Sequence, residues 1–261
     1  IANGDWSSDV CSSDLLAPLE EYYQTTCPLC HQTGMISKVL FDKMDRQKNT
    51  VKIKAIHYSC PCTKKGVKEA DAQDCRRMQT VPVLENITDT ALLANSKIAV
   101  GEKDDIRNIF TGRNLAVLDK ILTIIRQYEG RYQNILKYIL MSVLHLCKIT
   151  DTHSNSQWPL WIPKTNCVEK NIIEILSKKV AKFNDVIAFM KENYSHARIA
   201  GSYDALQPGS CLLLQKGCQN ITRDDIPDSG VDLIITDPPY LEQVLYSEYM
   251  QLYKPFLGRS E

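Results

Sequence analysis

Val231-Asp-Leu-Ile-Ile-Thr-Asp-Pro-Pro-Tyr240 is the stretch on which the fold turns. Val231 to Thr236 is short, apolar and rich in β-branched residues, the composition of a strand buried in a sheet. Asp237-Pro-Pro-Tyr240 follows at its carboxyl end. Ligands of open α/β sheets sit just outside such ends, so a site is expected there. Each proline sets its own φ and turns the residue before it away from the helical region. Asp237 and the carbonyl of Pro238 are thereby held in fixed directions, and Tyr240 projects from a stiff loop. Upstream, Cys211 to Gln215 reads as a second strand ending at Lys216-Gly217-Cys218, and Ile226-Pro-Asp-Ser-Gly230 leads into the motif.

The middle of the chain reads as helices. Phe110-Thr-Gly-Arg-Asn-Leu115 opens a helical stretch with Thr111 as its N-cap. Leu115, Leu118, Leu122 and Ile125 recur at helical spacing, and after Gly130 the pattern resumes at Ile135, Ile139, Val143 and Leu146, giving two helices broken near Gly130. Residues 151–164 are polar with Trp158, Pro159, Trp161 and Pro163, and read as a loop. A third helix carries Ile172, Leu176, Val180, Phe183, Ile187 and Met190 on one stripe, expected to face a core. Thr80 to Lys103 shows no period and reads as a connection.

Toward the start, five cysteines fall between positions 27 and 75. Cys27-Pro-Leu-Cys30 is a C-x2-C knuckle, Cys60-Pro-Cys62 a tighter pair, and Cys75 follows. Met35 to Leu40 and Thr50 to Tyr58 read as strands between the pairs; in the second, Val51, Ile53 and Ala55 alternate with Lys52 and Lys54. Two cysteine pairs flanking a hairpin are the layout of a zinc ribbon, because a tetrahedral Zn2+ takes four soft ligands and a short knuckle brings two thiolates onto one ion. The expected ligands are Cys27, Cys30, Cys60 and either Cys62 or Cys75, with His31 and His57 as substitutes. A closed four-ligand site is structural. Cys147, Cys167, Cys211 and Cys218 read as small apolar packing residues. Lys64, Lys65, Lys68, Arg76 and Arg77 beside the last cysteine read as a solvated basic face, with contact to phosphates as the alternative.

The chain has 261 residues, with 31 basic and 31 acidic side chains, so the formal charge is zero. A strongly basic balance, the simplest sign of nucleic-acid binding, is missing, though a local patch is compatible with that. Hydrophobic residues at 44% exclude a wholly disordered chain. Gly4 to Leu15, reading GDWSSDVCSSDL, is similar to the in-frame translation of a sequencing-library adapter, so residues 1–15 and Cys11 are set aside. No basic-then-apolar leader is seen, and the longest apolar stretch, Tyr138 to Cys147, is far short of the roughly 20 residues of a membrane span. No membrane association is expected, and the expected setting is the cytoplasm, with reduced thiols.

The Asp-Pro-Pro-Tyr motif, with its approach, resembles the catalytic motif of the S-adenosyl-L-methionine-dependent amino-methyltransferases of DNA. Tyr246-Ser-Glu248 with Tyr249, Tyr253 and Phe256 resembles a branch that also carries an N-terminal zinc ribbon, a Phe-Thr-x-Arg-Asn-Leu helix start and a Trp/Pro loop before a helix. All appear here in order, so the resemblance spans roughly residues 20 to 261. It implies a methyl transfer to the exocyclic amine of a DNA base. Asp237 and the Pro238 carbonyl would accept the two N–H bonds of the amine, Pro239 would stiffen the loop, and Tyr240 would stack on the extruded base. The acid at 237 points to adenine N6 in preference to cytosine N4. RNA as substrate, and a zinc-ribbon nucleic-acid-binding protein with an inactive methyltransferase domain, are the other readings. In that branch a Phe-x-Gly-x-Gly loop for the donor follows the motif. No two glycines here lie within two residues of each other. The cofactor-binding residues are therefore unassigned; truncation of the C-terminal half is the simplest reason, and degeneration of the donor site is the alternative. The expected architecture is α/β: a zinc-ribbon domain at 20–80, a connection at 81–109, and at 110–261 the first part of a Rossmann-like methyltransferase sheet with its helices.

Overall fold

The structure is a computed structural model and describes residues 16–42, 52–79, 82–94, 105–152, 160–163, 165–195, 197–236 and 246–257. It divides into two compact units, Ile1–Lys182 with Leu245–Glu261, and Phe183–Val244. The content is mixed α/β, but the main sheet is antiparallel.

In the first unit a 3-10 turn (Ala17–Tyr23) leads to β1 (Gln24–Thr26), β2 (Thr33–Phe41), β3 (Ile53–Cys60), β4 (Thr63–Lys68) and the short helix α1 (Ala72–Gln79). After residues 82–94 come α2 (Gly112–Arg126), α3 (Gly130–Cys147), β5 (Thr150–Asp151), β6 (Cys167–Lys170) and α4 (Ile172–Asn193). The sheet order is β4-β3-β2-β6-β5. β3 takes one edge of β2; β1 and β6 share the other, β1 against Thr33–Met35 and β6 against Lys38–Phe41. The sheet therefore runs across the expected boundary at residue 80.

Two β-bulges shape the hairpin. Ile36 faces Tyr58 while Lys38 faces His57, leaving Ser37 extra on β2; Leu40 faces Ala55 while Phe41 faces Ile53, leaving Lys54 extra on β3. Each extra residue shifts the side-chain alternation by one. Gly34 and Ile36 are buried before the first bulge and Val39 and Phe41 after it. The same shift corrects the expected Ile53/Ala55 alternation: Ile56 and Tyr58 are the buried residues of β3, and Ala55 is half-buried.

The Phe110–Leu115 segment forms the junction between sheet and helices. Thr111 caps α2 as expected, its Oγ1 accepting from Asn114 N at 3.2 Å. Arg113 Nε donates to Glu169 Oε1 at 2.8 Å, both side chains being buried, and its guanidinium lies 5.3 Å from the Tyr23 ring centre. Tyr23 Oη donates to Asn114 Oδ1 at 2.7 Å and accepts from Ile172 N at 3.3 Å. Asn114 Nδ2 donates to the carbonyls of Cys147 (2.8 Å) and Lys170 (3.2 Å). Phe110 packs on Phe256 of a terminal helix, α5 (Tyr246–Leu257), at 5.7 Å between rings. Asn171 joins β2 to α4: its Nδ2 donates to Ile36 O at 2.8 Å and its Oδ1 accepts from Ile173 N at 2.9 Å, capping the helix. The expected connection has no regular element at 82–94, yet Asp119 of α2 anchors it by accepting from the backbone N–H of Glu85, Asn86 and Ile87 at 2.8–3.1 Å.

Of the expected core stripe of α4, Ile172 and Leu176 are buried, Val180, Phe183 and Ile187 are half-buried, and Met190 is exposed. Val186 and Phe189, off that stripe, are exposed as well. In the second unit β7 (Arg198–Ala200) and β8 (Ser210–Leu212) form the one parallel pair among the described residues. Val231 to Thr236, expected as a strand, pairs with nothing described; Leu233, Ile234 and Ile235 are 73–87% exposed. Composition favours an extended backbone, but a strand exists only where a neighbour supplies the ladder. Ala200 is the buried apolar residue of this unit among those described, and the unit is held by polar contacts such as Tyr203 Oη to Gly230 O at 2.6 Å.

Replacing Glu169 by Ala leaves the Arg113 guanidinium buried without its counter-charge. A loss of about 3–5 kcal/mol is expected, read from urea midpoints. Asp228→Asn, which breaks the exposed Arg223–Asp228 pair, should change stability by less than about 1 kcal/mol.

Candidate metal centre

The knuckle Cys27–Cys30 sits between β1 and β2, and Cys60 and Cys62 sit at the β3–β4 turn. Antiparallel pairing of β2 with β3 places Met35 opposite Ser59, so both turns lie at one end of the hairpin. The knuckle is closed by His31 N donating to Cys27 O at 3.0 Å and Cys27 N to Gln32 O at 2.9 Å, with His31 at φ 56°. The sulfur atoms of Cys27, Cys30, Cys60 and Cys62 all lie within 4.8 Å of one another. The separations are 3.7 Å for Cys27–Cys62, 3.9 Å for Cys30–Cys60 and 3.3 Å for Cys60–Cys62. Zn–S bonds of about 2.3 Å give a tetrahedron with edges of about 3.8 Å. The four sulfurs therefore fit one metal ion such as zinc, whose chemistry would be to hold the two turns together.

The donor set resolves the fourth ligand in favour of Cys62. Cys75 lies on α1 and is not part of the group. Its N–H bonds to Asp71 O at 3.0 Å as part of the helix start. The substitutes also fall away: His31 is exposed beside the knuckle, and alternation along β3 sends His57 to the face opposite Tyr58. Cys147 and Cys167 are buried, as expected of packing residues, whereas Cys211 and Cys218 are exposed.

Tyr58 completes the site, and the cysteine spacing does not announce it. Its hydroxyl lies 3.2 Å from Cys27 Sγ, the buried sulfur of the four. A Cβ on Gly66 would stand 2.5 Å from Tyr58 Cζ, and one on Gly34 2.9 Å from Cδ2. Glycine in both flanking strands thus makes room for the ring and fixes the direction of its hydroxyl. The Tyr58 hydroxyl, helped by the N–H groups of Cys30 and Leu29, pulls the Cys27 thiol down to about 5. Cys62 shifts upward, because Cys60 and Cys30 share hydrogen bonds with it. One sulfur of the group is thus ready to bind as thiolate; a bound cation would bring the others to that state. The sequence signal for Tyr58 was its place two residues before Cys60 on one strand face, opposite a glycine.

Two of the five residues of the expected basic face are used inside the fold. Lys68 bridges Asp71 (2.9 Å) and the buried Asp74 (2.8 Å), and Arg77 donates to Gln24 O. Lys64 and Lys65 remain exposed on β4. Asp237, Pro238, Pro239 and Tyr240 lie outside the described residues. Among the described residues, no helix is long and apolar enough to cross a membrane. Set against family profiles, curated proteins and solved structures, the chain finds no match.

Purified protein should hold about one zinc per chain, and cobalt substitution should give the charge-transfer bands of a tetrathiolate. Cys62→Ser should weaken cobalt binding sharply while Cys75→Ser leaves it unchanged; the opposite pattern would place the fourth ligand on α1. Tyr58→Phe should lower metal affinity by roughly 10–100-fold, measured by competition with a chelator.

Proposed function

We propose that the chain belongs to an S-adenosyl-L-methionine-dependent DNA amino-methyltransferase, acting on adenine N6. The observation that carries this reading is the Asp237-Pro-Pro-Tyr240 motif behind an apolar, β-branched run. An aromatic amine is a poor nucleophile because its lone pair is delocalised into the ring. A carboxylate and a rigid carbonyl that accept its two hydrogens orient it and stabilise the positive charge that develops on attack. Asp237 and Pro238 supply these two acceptors, and Tyr240 supplies a face for a base taken out of the stack. The sheet that would carry the motif is Rossmann-like in this proposal. Support for it comes from the parallel β7–β8 pair upstream.

A second reading is favoured by a different observation. The four-cysteine group, beside exposed Lys64 and Lys65, suits a nucleic-acid-binding ribbon without catalysis. RNA in place of DNA as the methylated polymer is the variant of the first reading. The cytoplasm is the proposed setting for all three.

A labelled-donor assay with the full-length product of the gene, with DNA and RNA offered in parallel, separates these readings. Label is expected in DNA, at adenine N6. Asp237→Ala should reduce incorporation by at least about a hundredfold with the fold intact by circular dichroism. Full activity in that variant would remove Asp237 from the mechanism, and label in RNA alone would change the substrate.

A further inference from the structure

A cavity of about 400 Å3 opens where the 3-10 turn and β1 meet the end of α1 and the start of α2. Tyr22, Pro82, Arg77, Arg113 and Glu21 are among its lining residues. None of them has a role in the metal centre or in the Asp237–Tyr240 motif, and all belong to the first compact unit. The volume is at the small end of the roughly 300–1,000 Å3 of ligand pockets, room for one nucleotide and not for a duplex.

The lining chemistry is specific. Arg113 commits Nε and Nη2 to Glu169, while its Nη1 reaches only Tyr22 O at 3.5 Å, a contact too long to use that nitrogen well. Its side chain is 2% exposed, and its charge is balanced by Glu169. Arg77 donates one bond, to Gln24 O, and keeps the rest of its fork. Arg113, buried and neutralised by Glu169, only walls the cavity; Arg77 is the guanidinium with donors to spare, and its fork suits a phosphate, which takes bidentate N–H pairs. Tyr22 and Pro82 add the flat apolar surface on which a base stacks, and Glu21 adds an acceptor for an amine or a sugar hydroxyl.

We propose that this cavity binds a nucleoside 5′-monophosphate, either free or as one nucleotide of a single strand, with its phosphate on Arg77 and its base against Tyr22 and Pro82. The proposal does not rest on methyl transfer, because the site shares no residue with the catalytic motif.

The test is a titration of the zinc-loaded protein, by calorimetry with 2′-deoxyadenosine 5′-monophosphate and by fluorescence anisotropy with a labelled ten-residue oligo-dA. Binding of either probe is expected, with deoxyadenosine competing poorly because it lacks the phosphate. Arg77→Met should weaken binding by about tenfold or more and Tyr22→Ala by at least about fivefold. Arg77→Lys, which keeps the charge but not the fork, should fall between wild type and Arg77→Met and guards against a folding artefact. A Lys64→Ala/Lys65→Ala double variant should retain binding of the mononucleotide. Binding of the mononucleotide identifies the free ligand as a sufficient source, and binding of the oligonucleotide alone identifies the strand. Absence of binding to both probes, equal competition by deoxyadenosine, or wild-type affinity in both Arg77→Met and Tyr22→Ala overturns the proposal.

Discussion

The buried contact between Arg113 and Glu169 is the constraint on which the first unit depends. An isolated guanidinium would be too costly to hold away from water, so it requires a carboxylate on β6 and an aromatic face, Tyr23, beside it. Meeting both demands fixes the start of α2 against the sheet. Asn114, the next residue, uses its side chain to tie the ends of α3 and β6 to Tyr23. Four segments far apart in sequence are therefore registered by two adjacent polar residues. Tyr23 contributes both its ring and its hydroxyl, which is why it is fully buried.

The four-cysteine group depends on a different device. Four sulfurs converge because an antiparallel hairpin brings two turns to one end, and two bulges keep its buried face continuous despite the extra residues Ser37 and Lys54. Tyr58 then links the cluster to the sheet. Its ring occupies space that only glycine at 34 and 66 leaves open, and its hydroxyl meets Cys27. Among the described residues, the second unit has no comparable anchor. Its apolar residues from Val231 to Ile235 are exposed, and its described strands form one short parallel pair.

Much of this was legible in the residues. The helix break at Gly130, where φ is 56°, and the Thr111 cap follow from local backbone chemistry. The ligands Cys27, Cys30 and Cys60 follow from spacing. The choice between Cys62 and Cys75 did not, because it depends on where α1 leaves the hairpin. The apolar stripe of α4 was legible as a helix but not as half exposed, since periodicity shows which residues share a face and says nothing about whether another element covers it. The strand expected at 231–236 failed for the same reason: propensity is local, and pairing is not.

The sequence by itself determined three of the helices, the Thr111 cap, the knuckle and the hairpin. Those features depend on neighbours within a few positions. Only the tertiary structure decided that Arg113 pairs with Glu169, that Tyr58 serves Cys27, that Cys62 and not Cys75 joins the cluster, and that Arg77 and Arg113 share a cavity with Tyr22. Each of these contacts joins segments separated by tens of residues, and no local periodicity encodes which distant charge or ring will arrive.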